Sequence, residues 1–117
     1  MKLKMEKAIK KEYWENDKLK FEVNYLNGVS NGKGKEYYFD GALRFKGDYL
    51  NGKRNGLVEE YYGNVNIKNS ENILKEHNEL KFEGKYLNGE RHGKGKEYNW
   101  KGKLIFDGEF LMEKEMA

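Results

Sequence analysis

The chain has 117 residues, 37% of them hydrophobic and 37% charged, with 23 Lys and Arg against 20 Asp and Glu, two His and no Cys. That length fits one domain, that composition leaves too little apolar material for a thick core, and the lack of thiols excludes disulfide and thiolate chemistry. No apolar run is long enough for a membrane-spanning helix, and the basic start MKLKMEKAIKKEYW has no apolar stretch of the signal-peptide kind, so the expected compartment is the cytoplasm, with membrane association as a variant.

Residues 1–12 read as an N-terminal extension, followed by a repeat domain over 13–110 and a short charged tail over 111–117. The repeat opens on Tyr13-Trp14, the back half of a unit. The first full unit, LKFEVNYLNGVSNGKGKEYYFDG from Leu19 to Gly41, returns as LRFKGDYLNGKRNGLVEEYY from Leu43 to Tyr62 and as LKFEGKYLNGERHGKGKEYNWKG from Leu80 to Gly102. A fourth begins at Leu104 as LIFDGEF. Phe21 and Phe45 stand 24 residues apart, as do Phe82 and Phe106, whereas Phe45 and Phe82 stand 37 apart, one period plus 13 inserted residues. Self-similarity at a fixed period predicts a fold made by stacking one small unit.

Within a unit, Leu43, Phe45, Gly47 and Tyr49 alternate with Arg44, Lys46 and Asp48, and Leu80, Phe82, Gly84 and Tyr86 alternate with Lys81, Glu83 and Lys85. This pattern predicts strands with one apolar and one wet face. The pairs Asn27-Gly28, Asn51-Gly52 and Asn88-Gly89 predict tight turns, after which a return strand runs to Tyr37, Tyr61 or Tyr98. A glycine inside an apolar strand face weakens it unless something approaches closely, so Gly47, Gly84 and Gly108 are expected to lie under rings from neighbouring units. The insertion, near 63–79, has Val65 and Ile67 at strand spacing and then Ser70, Ile73, Leu74 and His77 at a spacing that suits a helical turn. Loop, helix and extra hairpin all stay open there. The expected class is all-β, a short repeat array of sequential antiparallel β-hairpins, either single-layer or curled into a solenoid.

Aromatic, glycine, Asn-Gly, glycine and tyrosine recur at fixed offsets from Tyr13 to Phe110, and in this the chain resembles the MORN (membrane occupation and recognition nexus) repeat family in its longer-period form. The resemblance implies that Phe45, Gly47, Tyr49, Gly52, Gly56 and Tyr61 form one hairpin, with Phe82, Gly84, Tyr86, Gly89, Gly93, Gly95 and Tyr98 as their equivalents. Val58 stands where the pattern favours a glycine, which implies an altered bend in the middle unit. It also implies a single-layer or curled antiparallel β-solenoid that serves assembly, membrane-adjacent scaffolding or protein contact.

No catalytic, cofactor or metal site emerges from the residues. Gly32-Lys33-Gly34 and Gly93-Lys94-Gly95 lack the strand-loop-helix setting and the following Lys-Ser or Lys-Thr of a phosphate loop. His77 and His92 have no cysteines and no recurring spacing, and carboxylates such as Glu36, Glu59, Glu60 and Glu97 are coupled to no nucleophile or base. Binding is left. Tyr38, Tyr62 and Trp100 form an outer row of rings on which a partner stacks, provided they are exposed; Ile73, Leu74 and His77 make the insertion a partner-specific element. Lys33, Lys35, Lys53, Arg54 and Arg91 offer a weakly basic edge to an anionic lipid surface, provided they gather; hydrated turn cations that discourage edge pairing are the plainer account. Interleaved charge without a dominant basic stripe disfavours nucleic acid. The expectation is a non-enzymatic protein-binding or scaffold module that needs no cofactor and whose partner is a protein, including a second copy of itself as a homo-oligomer. Peripheral attachment to anionic membranes and an antitoxin- or inhibitor-like binding role are the alternatives.

Overall fold

The computed structural model describes residues 5–68 and 74–111. Eight strands follow in chain order: β1 (Lys7–Tyr13), β2 (Leu19–Leu26), β3 (Val29–Tyr37), β4 (Leu43–Leu50), β5 (Lys53–Lys68), β6 (Leu74–Leu87), β7 (Glu90–Tyr98) and β8 (Leu104–Phe110). Each pairs antiparallel with its sequence neighbours in one sheet ordered β1 to β8. The all-β hairpin array predicted by the alternation therefore forms, and of its two versions the single layer is the one observed. The sheet does not curl into a closed solenoid: among the described residues β1 and β8 stay at its two edges and do not pair with each other. The molecule measures 68 × 43 × 22 Å with a radius of gyration of 17.4 Å, against about 13 Å for a compact domain of this length. Residues 7–12, read from the sequence as part of an extension, make up most of the edge strand β1.

Two kinds of turn alternate along the sheet and give it two rims. On one rim, Asn27, Asn51 and Asn88 have φ of 49°, 50° and 50°, and the glycines after them 84°, 84° and 86°. Positive φ at both central residues is the type I′ geometry whose twist matches a hairpin, and it explains why Asn-Gly recurs there. On the other rim, Trp14, Tyr38 and Asn99 each donate a backbone N–H to the carbonyl four residues on, at Lys18, Ala42 and Lys103. At the corresponding place after Tyr62 the chain runs on. The pairs Asn64↔Asn78, Val65↔His77, Asn66↔Glu76, Ile67↔Lys75 and Lys68↔Leu74 continue the β5–β6 hairpin past the rim. Of the three forms open for the insertion, the described part is hairpin, an extension of two existing strands.

The sequence puts rings on one face of a sheet that has no second layer, so something else must cover them. Directly opposed residues share a face, and the pairs Phe45↔Glu60, Glu60↔Phe82 and Phe82↔Glu97 place a glutamate between successive phenylalanines. The rings interlock edge to face, Phe45 with Tyr49 and Tyr86, and Phe82 with Tyr86 and Phe110, at centroid distances of 5.4 to 6.2 Å. Arg54 then lies 4.0 Å above the Phe45 ring and Arg91 4.1 Å above Phe82. As a result, Phe45 and Phe82 have no exposed surface. Rings capped by guanidinium groups replace the missing layer.

The glycine expectation is corrected in detail. A Cβ on Gly84 would meet the ring of Phe82 from its own strand, one on Gly108 would meet Phe106 likewise, and one on Gly47 would meet the methyls of Val58. Rings from a neighbouring strand instead lie over the return-strand glycines, Tyr49 over Gly34 and Phe110 over Gly95. The aromatic side chains lean along their own strands as well as across, which alternation alone does not reveal.

Candidate binding surfaces

The apolar face carries a repeated cluster of tyrosine, glutamate and arginine. The Glu36 carboxylate accepts from Arg54 Nε at 3.0 Å and Nη2 at 2.8 Å and from the Tyr49 hydroxyl. One unit on, Glu60 accepts from Arg91 Nε at 3.1 Å, and Glu97 accepts from Arg91 Nη1. Burial, followed by the bond to Glu36, holds the Tyr49 hydroxyl well above the usual tyrosine range, and burial followed by Glu60 raises Tyr86. In both clusters the Nε and Nη2 of the planar guanidinium converge on one carboxylate oxygen, Oε2 of Glu36 or of Glu60, so each cation is neutralised as it caps its ring. The first full unit has Ser30 at the arginine position, and Ser30 is buried.

The candidates for an anionic-surface edge are thus separated. Arg54 and Arg91 sit on the apolar face in ion pairs with Glu36 and Glu60 at 2.8 and 3.0 Å. Lys33 and Lys35 oppose Asp48 and Lys46 on the other face, and Lys33 approaches Asp48 at 3.7 Å. Lys53 is exposed beside the Asn51-Gly52 turn.

Tyr38 and Tyr62 have a structural task that recurs along the array. Trp14 Nε1 donates to the carbonyl of Tyr37 at 3.2 Å, the Tyr38 hydroxyl to that of Tyr61 at 2.6 Å, and the Tyr62 hydroxyl to that of Tyr98 at 2.7 Å. Each ring ties its unit to the next, and a cation covers each: Lys20 over Trp14, Arg44 over Tyr38 and Lys81 over Tyr62. All three rings are half-buried. Trp100, which starts no further link, is exposed, with Lys101 beside its ring.

The wet face bears a row of charge that crosses every strand. Lys11, Glu22, Lys35, Lys46, Glu59, Glu83, Lys96 and Asp107 oppose one another in succession from β1 to β8. Two steps of that row set like charges together, Lys35 against Lys46 and Glu59 against Glu83. Glu59 and Glu83 accept hydrogen bonds from the hydroxyls of Tyr61 and Tyr98. Burial, then Glu59, pushes the Tyr61 pKa up to about 12. Beside the row an open transverse groove of about 730 Å³ has the backbone of Gly34, Gly47, Gly84 and Gly95 in its floor.

The third surface is the arm. Past Glu60 and Phe82, β5 and β6 pair only with each other among the described residues. Asn78 clamps its base, accepting from Gly63 N at 2.9 Å and donating from Nδ2 to the Leu43 carbonyl at 2.9 Å. Leu74 and His77 lie on the β6 side of the arm, while Ile73 lies outside the described residues.

Among the described residues no three His, Cys, Asp or Glu side chains are placed to hold a metal ion, and no helix is long and apolar enough to cross a membrane. No protein-family model matches the chain, and no curated protein is detectably similar to it.

Proposed function

We propose that this chain is a non-enzymatic protein-binding module, a MORN-like hairpin array that acts as scaffold for a projecting two-stranded arm. The observation that carries this reading is the five cross-strand pairs from Asn64↔Asn78 to Lys68↔Leu74, which extend past the rim with no flanking strand among the described residues. An isolated two-stranded hairpin is marginal in water, and a strand without a flanking neighbour leaves its outward N–H and C=O groups unpaired within the sheet. A partner segment that adds a strand satisfies those groups and stabilises the arm, the commonest use of an open sheet edge in recognition. Of the candidate outer rings, Tyr38 and Tyr62 are by contrast occupied in holding the units together, which leaves them less to offer a ligand.

The test is affinity capture from an extract of the source cell with two proteins, the native chain and a variant in which residues 65–77 are replaced by a short turn. The variant should keep its β-sheet circular dichroism and lose the captured partner. Capture that survives the replacement overturns the reading. Anionic vesicles form the second arm of the experiment. Salt-sensitive retention there would favour peripheral membrane attachment, whose supporting cations lie on opposite faces of the sheet.

A further inference from the structure

The charge row on the wet face has a symmetry that points to its occupant. From β1 to β8 its signs run plus, minus, plus, plus, minus, minus, plus, minus, so each sign is the opposite of the one equally far from the other end. We propose that this face binds a second copy of the chain, face to face, about a twofold axis parallel to the strands and midway between β4 and β5. Such an axis lays β1 of one copy over β8 of the other. It brings Lys11 onto Asp107, Glu22 onto Lys96, Lys35 onto Glu83 and Lys46 onto Glu59, and each of these four pairs occurs twice. The other in-plane twofold that keeps the row over itself, the one along the row, lays each residue on its own copy and sets eight like charges together, so of the two the charges choose the strand-parallel axis.

Three further observations fit. Directly opposed like charges destabilise a sheet, and the Lys35/Lys46 and Glu59/Glu83 steps are relieved when opposite charges arrive from above. None of the eight row residues forms an ion pair among the described residues, so their charges are uncompensated by a cation or anion there, although Glu59 and Glu83 each accept a tyrosine hydroxyl. Lys11, Lys35, Lys46, Lys96 and Asp107 are exposed, and the three glutamates are half-buried. Eight strands about 4.8 Å apart and roughly 25 Å long offer roughly 850 Å² per copy, comparable with the about 800 Å² per partner of a standard interface. The next row contributes one unfavourable meeting, Lys33 over Lys85, and Lys33 already has Asp48 beside it. A strand-parallel axis also sends both arms past the same rim, so the dimer presents two arms side by side.

This proposal is independent of the arm's partner, and its test reads only self-association. The full-length protein is followed by sedimentation velocity at tens of micromolar, from low to high salt. The native chain should be a dimer at low salt and dissociate as salt screens the row. Lys35→Glu and Glu83→Lys should each weaken it at least a hundredfold, because each sets like charges together twice across the axis. Mixing the two variants should restore the dimer, since the reversed side chains then face each other and so do the native ones. β3 and β6 are three strands apart, so such rescue has no route within one chain. Glu22→Lys mixed with Lys96→Glu serves as a second pair in case Glu83→Lys, which loses the Tyr98 bond, does not fold. A monomer at low salt overturns the proposal. So does a dimer indifferent to both charge reversals, which would indicate pairing through the free edges, and so does a mixture of folded variants that stays monomeric.

Discussion

Replacing Gly84 with alanine tests whether the interior glycines of the array are required by packing. The residue lies within β6 and its φ is not positive, so alanine incurs no backbone strain there. Space is the obstacle: the added Cβ would stand 2.7 Å from Phe82 Cζ, 2.8 Å from Gly95 Cα and 2.8 Å from the Lys94 carbonyl oxygen. The ring can turn only at the expense of its contact with Arg91, and the other two atoms are the main chain of β7, so relief requires β6 and β7 to move apart. Overpacking of this kind costs about 1–3 kcal/mol, and the main-chain contacts put Gly84→Ala near the upper end, about 3 kcal/mol. For a chain of this length that lowers Tm by roughly 10–15 °C. Gly89→Ala is the control, since it has φ of +86° and nothing within 4 Å of the added carbon; it should cost about 1–2 kcal/mol through left-handed strain alone. Both are read by urea and thermal unfolding at one protein concentration. A Gly84→Ala protein as stable as the native one, or no less stable than Gly89→Ala, refutes the packing argument.

Arg54→Met should cost about 1.5–3 kcal/mol in urea unfolding, because it leaves the half-buried Glu36 carboxylate without its fork, while Arg54→Lys recovers only part of that loss for want of a planar group to lie on Phe45; Arg44→Met, on the exposed side of Tyr38, should stay within about 0.5 kcal/mol of native. Stability should fall as pH rises above about 10: Tyr49, Tyr86 and Tyr61, the last at about 12, keep protons in the folded state that the unfolded chain releases from 10.0 upward. Tyrosinate absorbance together with equilibrium unfolding checks this, and stability unchanged at pH 12 would contradict it.

Much of the fold is legible in the residues because the same constraint recurs in each unit. Asn-Gly marks a type I′ turn by its chemistry, and the alternation about Phe45 and Phe82 fixes which side faces the rings. The half of the apolar face contributed by the return strands is not legible in that way. Lys-Gly-Lys-Glu-Tyr reads as uniformly wet, and only cross-strand register shows that Glu36 lies opposite Phe45 and Glu97 opposite Phe82. A signal was present nonetheless: an arginine two residues after each Asn-Gly pair in the second and third full units, with a glutamate six residues later. The charge row is hidden for the same reason, since its eight members come from eight strands and no window of sequence holds two of them at a telling distance. Tyr38 and Tyr62 looked like free rings because their acceptors, the carbonyls of Tyr61 and Tyr98, belong to the main chain of the following unit and leave no side-chain pattern.

Because every strand in the order β1 to β8 pairs its backbone only with its sequence neighbours among the described residues, the two edge strands lie at opposite ends of the sheet. A force applied between the termini therefore loads one edge strand at a time, and the sheet peels instead of shearing as a block. Each hairpin that comes away has to break one indole or tyrosine link to its neighbour. The array is mechanically a row of fasteners, and the hairpin with the long arm is reached after two strands, β8 and β7, from one edge and after four, β1 to β4, from the other.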